Sequence, residues 1–299
     1  MELSTSKSAA EGWPRITDLF VEGKGDVALL GAPMGEGSVT PGRCDLAPGL
    51  VRETLRRFST YNLETRMEIA LRIADRGDVD LQGVMPAEGF GPIRDAVLGC
   101  AGHGLTILLG GNNAVTRPAA HGLGLPLDKV GLVTLDAHFD LRDTHEGPRN
   151  GNPIRCLLED GMPGRNICQI GLAPFANTKR MHGVAEEAGM GVTTISEVKS
   201  RGLIPVLEAA MARLGDLDAV MIDFDIDVID RSQCPGAPGA RPGGMNVDMF
   251  FAAARWLGAH RQVKLVDLTE FDPSLDVGSI TALTAGRWVC EILAGYSLR

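Results

Sequence analysis

The chain has 299 residues, 44% of them apolar and only 5% aromatic, and carries a formal net charge of −9. That supplies one large core built on Leu, Val, Ile, Ala and Met, and α/β domains of this length occur as single units. The negative balance argues against a nucleic-acid partner, which needs a basic face, and no run of about eighteen apolar residues is present to span a membrane. A small anionic substrate stays compatible, because charge inside a cleft can oppose the net charge.

Apolar runs bounded by turn residues predict strands at 26–30, 69–73, 105–109, 130–135, 167–170, 192–195, 219–222 and 263–268. Three- and four-residue spacing predicts helices at 48–58, 92–101, 177–189, 204–214 and 246–257, with 280–293 as a closing helix. Asn177 and Asn246 suit helix N-caps, and Gly189 suits a helix end. Alternating strands and helices, with strands apolar throughout, predict an α/β fold with a largely parallel sheet covered on both faces. No linker or composition break divides residues 1–299, so one catalytic domain is expected. Six cysteines are scattered without a C-x-x-C pair, which excludes zinc-finger and thioredoxin-like readings and suits reduced thiols in the cytoplasm. Residues 1–14 hold no apolar stretch, so no secretory leader is expected.

Chemistry concentrates where predicted strands end, which is where ligands bind in open α/β sheets. Gly110-Gly111-Asn112-Asn113 follows the 105–109 strand and reads as a tight turn needing positive φ. Asp136-Ala137-His138-Phe139-Asp140 follows the 130–135 strand. If it stays extended, alternate side chains share a face, and a carboxylate–imidazole set suits Mn²⁺ or Zn²⁺ better than Ca²⁺. Asp223-Phe224-Asp225-Ile226-Asp227 ends the 219–222 strand. Carboxylates this crowded repel one another unless a cation neutralises them. Asp223 and Asp230 are read as caps or backbone acceptors instead. The Gly/Pro-rich stretch 235–244 reads as a loop at the mouth of the site. Glu270, after the last strand, is placed to receive a cationic nitrogen.

Taken in order, these motifs resemble the ureohydrolase family of arginase, agmatinase and formimidoylglutamase over nearly the whole chain. Gly31-Ala32-Pro33 with Pro48-x-x-x-Arg52 is similar to the family's N-terminal signature. Gly110-Gly111-Asn112-Asn113 stands where Gly-Gly-Asp-His is usual. Asp136–Asp140, Asp225-Ile226-Asp227-Val228-Ile229-Asp230 and Glu270-x-x-Pro273 match the later motifs. The resemblance implies a three-layer, mostly parallel eight-stranded arginase-like sheet and two Mn²⁺ per chain. Asn113, Asp136, Asp140 and Asp225 would hold one ion. Asp136, His138, Asp225 and Asp227 would hold the other. Asn113 replaces an imidazole by a weaker neutral amide, so its site is expected to bind more loosely. The same change is associated with the formimidoylglutamase branch.

Further features favour that branch. Arg142 stands where arginases carry an asparagine, and a guanidinium grips a carboxylate with two hydrogen bonds. Asn150 stands near an agmatinase histidine. Ala173-Pro174-Phe175 lacks the acid that meets a free α-ammonium. The reaction implied is hydrolysis of N-formimino-L-glutamate to L-glutamate and formamide, a step of histidine degradation. The metals would generate hydroxide near neutral pH, with attack at the formimino carbon. Asp140 would pass a proton to the leaving amine, with His138 and Glu270 completing the catalytic set. Arg142 would hold one substrate carboxylate, with Arg43 and Arg241 as candidates for the other and Asn150 near the substrate. The alternatives are a guanidino-acid or agmatine ureohydrolase releasing urea, and an inert binding or scaffold protein, which Asn113 motivates. Family members are commonly trimers or hexamers, so a homo-oligomer is implied.

Overall fold

The computed structural model describes residues 12–299; most of the 1–14 stretch read for a leader lies outside them. The strands are β1 (Phe20–Val21), β2 (Val27–Ala32), β3 (Tyr61–Asn62), β4 (Met67–Glu68), β5 (Ile73–Asp78), β6 (Leu105–Gly110), β7 (Val130–Leu135), β8 (Ile167–Leu172), β9 (Gly191–Thr194), β10 (Ala219–Asp225) and β11 (Val263–Thr269). The helices are α1 (Ala47–Thr54), α2 (Pro86–Leu98), α3 (Thr116–Gly122), α4 (Pro153–Glu159), α5 (Lys179–Glu187), α6 (Ile195–Arg201), α7 (Leu203–Arg213), α8 (Val247–Gly258) and α9 (Ile280–Tyr296).

Nine strands form one sheet in the order β1-β5-β2-β6-β11-β10-β7-β8-β9, and every pairing within it is parallel. The expected eight strands gain β1, a two-residue edge strand too short to read as an apolar run. Alternate residues of each strand feed two separate cores. Val27 and Leu29 belong to one core with Val51 of α1, Leu207 of α7, Phe250 of α8 and Trp288 of α9. Ala28 and Leu30 pack with Ile93 of α2, Ala119 of α3, Ile154 of α4 and Ala185 of α5. The result is three layers, with both sheet faces sealed from water, as strands apolar throughout require.

Several boundaries differ from expectation. The strand expected at 69–73 is displaced to Ile73–Asp78, because near the sheet edge its exposed end tolerates Asp75, Arg76 and Asp78. Helix α2 starts at Pro86 and carries Pro92 inside it; Pro86, at the first helical position, is the true start signal. Helix α6 follows β9 directly, nucleated by a capping box between Thr194 and Glu197. Asn246 does cap α8, accepting from the Met249 N–H at 2.8 Å. Asn177 does not cap α5; Thr178 does.

Candidate metal centre

Four neighbouring strands, β6, β11, β10 and β7, end at one level. Leu109 aligns with Leu268, Asp225 with Thr269, and Phe224 with Leu135. The residues just beyond those ends therefore converge at the carboxyl edge of the sheet. Asn113, Asp136, Asp140, Asp225, Asp227 and Glu270 are all buried there. Asp136, His138 and Asp227 each bring one ligand atom within 4.8 Å of the others.

The 136–140 segment does not converge by staying extended. Strand β7 stops at Leu135, and Asp140 takes a left-handed backbone (φ 52°), as does Glu270 (φ 61°). Non-glycine residues in that region carry a strain of about 1–3 kcal/mol each. Neighbours hold them there: the Arg155 N–H donates to the Asp140 carbonyl at 3.2 Å, and the Glu270 N–H to the Gly111 carbonyl at 2.9 Å. Gly111 is not needed for positive φ. It is needed for close approach, since a Cβ would lie 2.2 Å from the Met34 carbonyl oxygen. Asp227 likewise leaves the strand: Ile226–Val228 form a 3₁₀ turn in which Asp225 Oδ1 accepts from the Asp227 N–H at 2.8 Å.

The electrostatics are those of too many carboxylates for the cations at hand. Burial, then repulsion from Asp227, pushes the Asp136 carboxyl up to about 6. Burial holds Asp140 and Asp225 well above the ordinary range, reinforced by Asp136 for the first and by Asp227 for the second. Burial lifts Glu270 to about 7 although Asn150 and the Asn113 N–H donate to it. His138 is pushed up to about 12, chiefly by the Asp227 carboxylate 3.0 Å from its Nδ1. Burial pushes Asp227 up as well, but the charge and hydrogen bond of His138, together with hydrogen bonds from the Ala137 N–H and Asp136, bring it down on balance. Asp136 Oδ2 is buried with no partner among the described residues. An orphaned carboxylate oxygen, an imidazole and an excess of buried acid are the complement of a divalent cation with mixed O/N preference.

The cleft above these groups is lined by His138, Asp140, Arg142, Asn150, Asn177, Asp225, Asp227, Gly239, Arg241 and Glu270. Asn150 donates to Glu270 Oε1 at 3.0 Å and its Oδ1 accepts from the Val39 N–H at 2.8 Å. Neither the Arg142 nor the Arg241 guanidinium has an ion-pair partner among the described residues. Arg43 is placed elsewhere. Its guanidinium forms two 2.9 Å hydrogen bonds with Asp45 and lines a different groove, with Glu36 and Asp78. The 235–244 loop does close over the site: a Cβ on Gly239 would lie 2.0 Å from Asp227 Oδ2. Asp230 is a backbone acceptor as expected, taking the Ser232 and Gly243 N–H groups. Asp223 is not; it faces Asp267 on β11 inside the sheet.

Asn177, expected as a cap, pins the ligand loop instead. Its Oδ1 accepts from the Phe139 N–H at 2.7 Å and its Nδ2 donates to the Ala137 carbonyl at 2.9 Å. Thr116 and Asp267 carried no local signal; only their contact across the fold reveals them.

The chain belongs to the arginase family, whose sequence profile matches residues 25–295. Within that family it is similar to the formimidoylglutamase of Halalkalibacterium halodurans, with 31% identity over 278 residues that cover 91% of this chain and 87% of that protein. In three dimensions it matches the formimidoylglutamase of Bacillus subtilis with a TM-score of 0.92 at 25% identity, covering 100% of this chain and 96% of that one. Trypanosoma cruzi formiminoglutamase with Mn²⁺ shares the fold, with a TM-score of 0.89 at 22% identity over 96% and 99% of the two chains. The protein is a hydrolase of this type.

Proposed function

We infer that the chain hydrolyses N-formimino-L-glutamate to L-glutamate and formamide. The observation that carries this reading is the pair of unpaired guanidinium groups, Arg142 and Arg241, on a cleft whose floor is acidic. A substrate with two carboxylates and one amidinium end complements that pattern. Each arginine can hold a carboxylate by charge-assisted hydrogen bonds. Glu270 takes both of its protein donors on Oε1, at 2.7 and 3.0 Å, which leaves Oε2 to orient the amidinium nitrogens. Asp140 is placed to pass a proton to the glutamate nitrogen as the C–N bond breaks. Water supplies the oxygen that leaves in formamide and the protons that complete both products.

We propose that this donor set would hold two Mn²⁺ ions. Asp136 and Asp225 are proposed as shared ligands, with Asn113 and Asp140 on one side and His138 and Asp227 on the other. Bound metals supply a water of lowered pKa and polarise the carbon under attack. A guanidino acid is the second reading, because one arginine suffices for its single carboxylate. The test is product analysis with Mn²⁺-loaded protein. Formamide and glutamate from formiminoglutamate, without urea from guanidinobutyrate, are expected. Urea release as the faster reaction would replace the first reading by the second.

A further inference from the structure

One layer below the ligands, on the same face of the sheet, lies a second set of polar groups. Thr134, Asp223 and Asp267 stand side by side in register on β7, β10 and β11, and Thr116, the first residue of α3, reaches this layer. All four are fully buried. Thr116 Oγ1 lies 2.9 Å from Asp267 Oδ2 and 2.6 Å from the carboxamide oxygen of Asn113. A hydroxyl carries one proton, so it cannot donate to both oxygens.

A half-turn of the Asn113 carboxamide resolves the conflict, because its oxygen and nitrogen ends are nearly equal in shape. Nδ2 then donates to Thr116, and Thr116 donates to Asp267. The Thr116 hydroxyl then donates once and accepts once, which removes the conflict at its own oxygen. The same half-turn changes what faces the site. Nδ2 lies 2.7 Å from Asp140 Oδ2; after the turn Oδ1 takes its place. Two oxygens facing at that distance repel, unless a cation or a proton lies between them. The carboxamide thus has two orientations. Nitrogen faces Asp140 as a donor, or oxygen faces the site as a ligand atom, and beside an ionised Asp267 only the second gives Thr116 a single acceptor.

We propose that Thr116 and Asp267 are positioning residues for the metal centre: their hydrogen bonds select the Asn113 orientation that presents Oδ1 to the ion. This rests on the reading of Asn113 as a ligand. A neutral amide binds such ions more weakly than an imidazole, so a fixed orientation matters more for it. Outer-shell partners of this kind set metal affinity by about 10–100-fold.

The test is Mn²⁺ titration of the full-length protein by calorimetry, with electron paramagnetic resonance to separate one-ion from two-ion occupancy. Thr116→Val removes the hydroxyl and keeps the shape. It is expected to weaken the looser site about 10–100-fold and leave the tighter site unchanged. The paired-ion signal then gives way to a single-ion signal at Mn²⁺ levels that saturate the parent. Thr116→Ser, which restores the hydroxyl, should restore the affinity. Thr116→Ala, measured alongside, guards against misfolding of the valine variant and should match it. In an Asn113→Ala background, Thr116→Val should add nothing, because the group it positions is gone. If Asn113→Ala leaves the looser site intact, the ligand reading fails. If Asn113→Ala weakens that site but neither Thr116 variant does, or if Thr116→Val acts equally in both backgrounds, the positioning role alone is overturned.

Discussion

Two acidic strand ends in this sheet have opposite surroundings. Along the exposed part of β5, Asp75 and Asp78 are partly solvated and share Arg52 of α1. Its Nε lies 3.1 Å from Asp75, its Nη1 2.5 Å from Asp78, and its Nη2 donates to the Gly77 carbonyl at 2.9 Å. At the ends of β7, β10 and β11, Asp136, Asp140, Asp225 and Glu270 are buried, and His138 is the basic side chain among them. An acid with a guanidinium and water beside it is already balanced and ties a helix to a strand. Acids sealed from water without such a partner are balanced only when a cation or protons arrive. The same residue type is thus held by an ion pair in one place and left to a cation or protons in the other.

The contrast is tested most severely by removing one acid from each end. Asp225→Ala should lower kcat on the order of a thousandfold or more, since metal chemistry is worth several kcal/mol. Metal analysis should show fewer than two Mn²⁺ per chain. Asp75→Ala should leave turnover and metal content unchanged, because neither Asp75 nor its partner Arg52 lines the cleft. A comparable loss from Asp75→Ala would break the comparison. Next in size is Arg142→Ala. A charge-assisted pair is worth about 1.5–3 kcal/mol, so kcat/KM should fall about 10–150-fold, mainly through KM. Steady-state kinetics with formiminoglutamate would show it, and an unchanged KM would remove Arg142 from the substrate site.

The smallest effect is on stability. Without metal, Glu270 titrates near 7 against an ordinary 4.5, and Asp136 near 6 against 3.8. Acids with raised pKa bind protons on folding. Their contribution is fully present below the unfolded values and is lost as pH rises through the folded ones. His138, raised from 6.5 to about 12 chiefly by Asp227, has the same sign, and its contribution fades from about 6.5 upward. Chelator-treated protein should therefore melt at progressively lower temperature from about pH 5 to 7.5. Mn²⁺-loaded protein should hold steady or gain, because metal replaces the protons. Thermal melts across that range decide it; parallel curves would show that the buried acids are not what the metal balances.

Much of the centre was legible because its residues follow apolar strands directly. Asp136, His138, Asp225 and Asp227 lie within two or three positions of a strand end. How they converge was not legible. The left-handed turn at Asp140 is held by the Arg155 N–H on its carbonyl, where pattern alone suggested continued extension. Asn177 is an acceptable helix cap by residue type, but the Phe139 N–H, 38 positions away, claims its oxygen. Thr116 meets Asp267 across a separation of 151 residues, and no local periodicity encodes such a contact. Arg43 looked available as a cation until its neighbour two residues on, Asp45, proved to hold it. Pro92 looked like a helix start because proline usually marks one, whereas Pro86 already held that position.

The strand order has a consequence for biosynthesis. Strand β6 is flanked by β2 and by β11, so its second neighbour is synthesised long after the first. Until Val263–Thr269 emerges, β6 and β10 both present an open edge, and the Asn113 N–H lacks the Glu270 carboxylate 157 residues downstream. Chains emerge N-terminus first, and pairings between distant segments form late. A ribosome-bound chain ending before β11 can therefore hold several of the acidic residues without arranging them. On the proposed two-ion reading, capture of the ions would be the signature of a finished sheet, and manganese supply would bear on the mature protein rather than on its early folding.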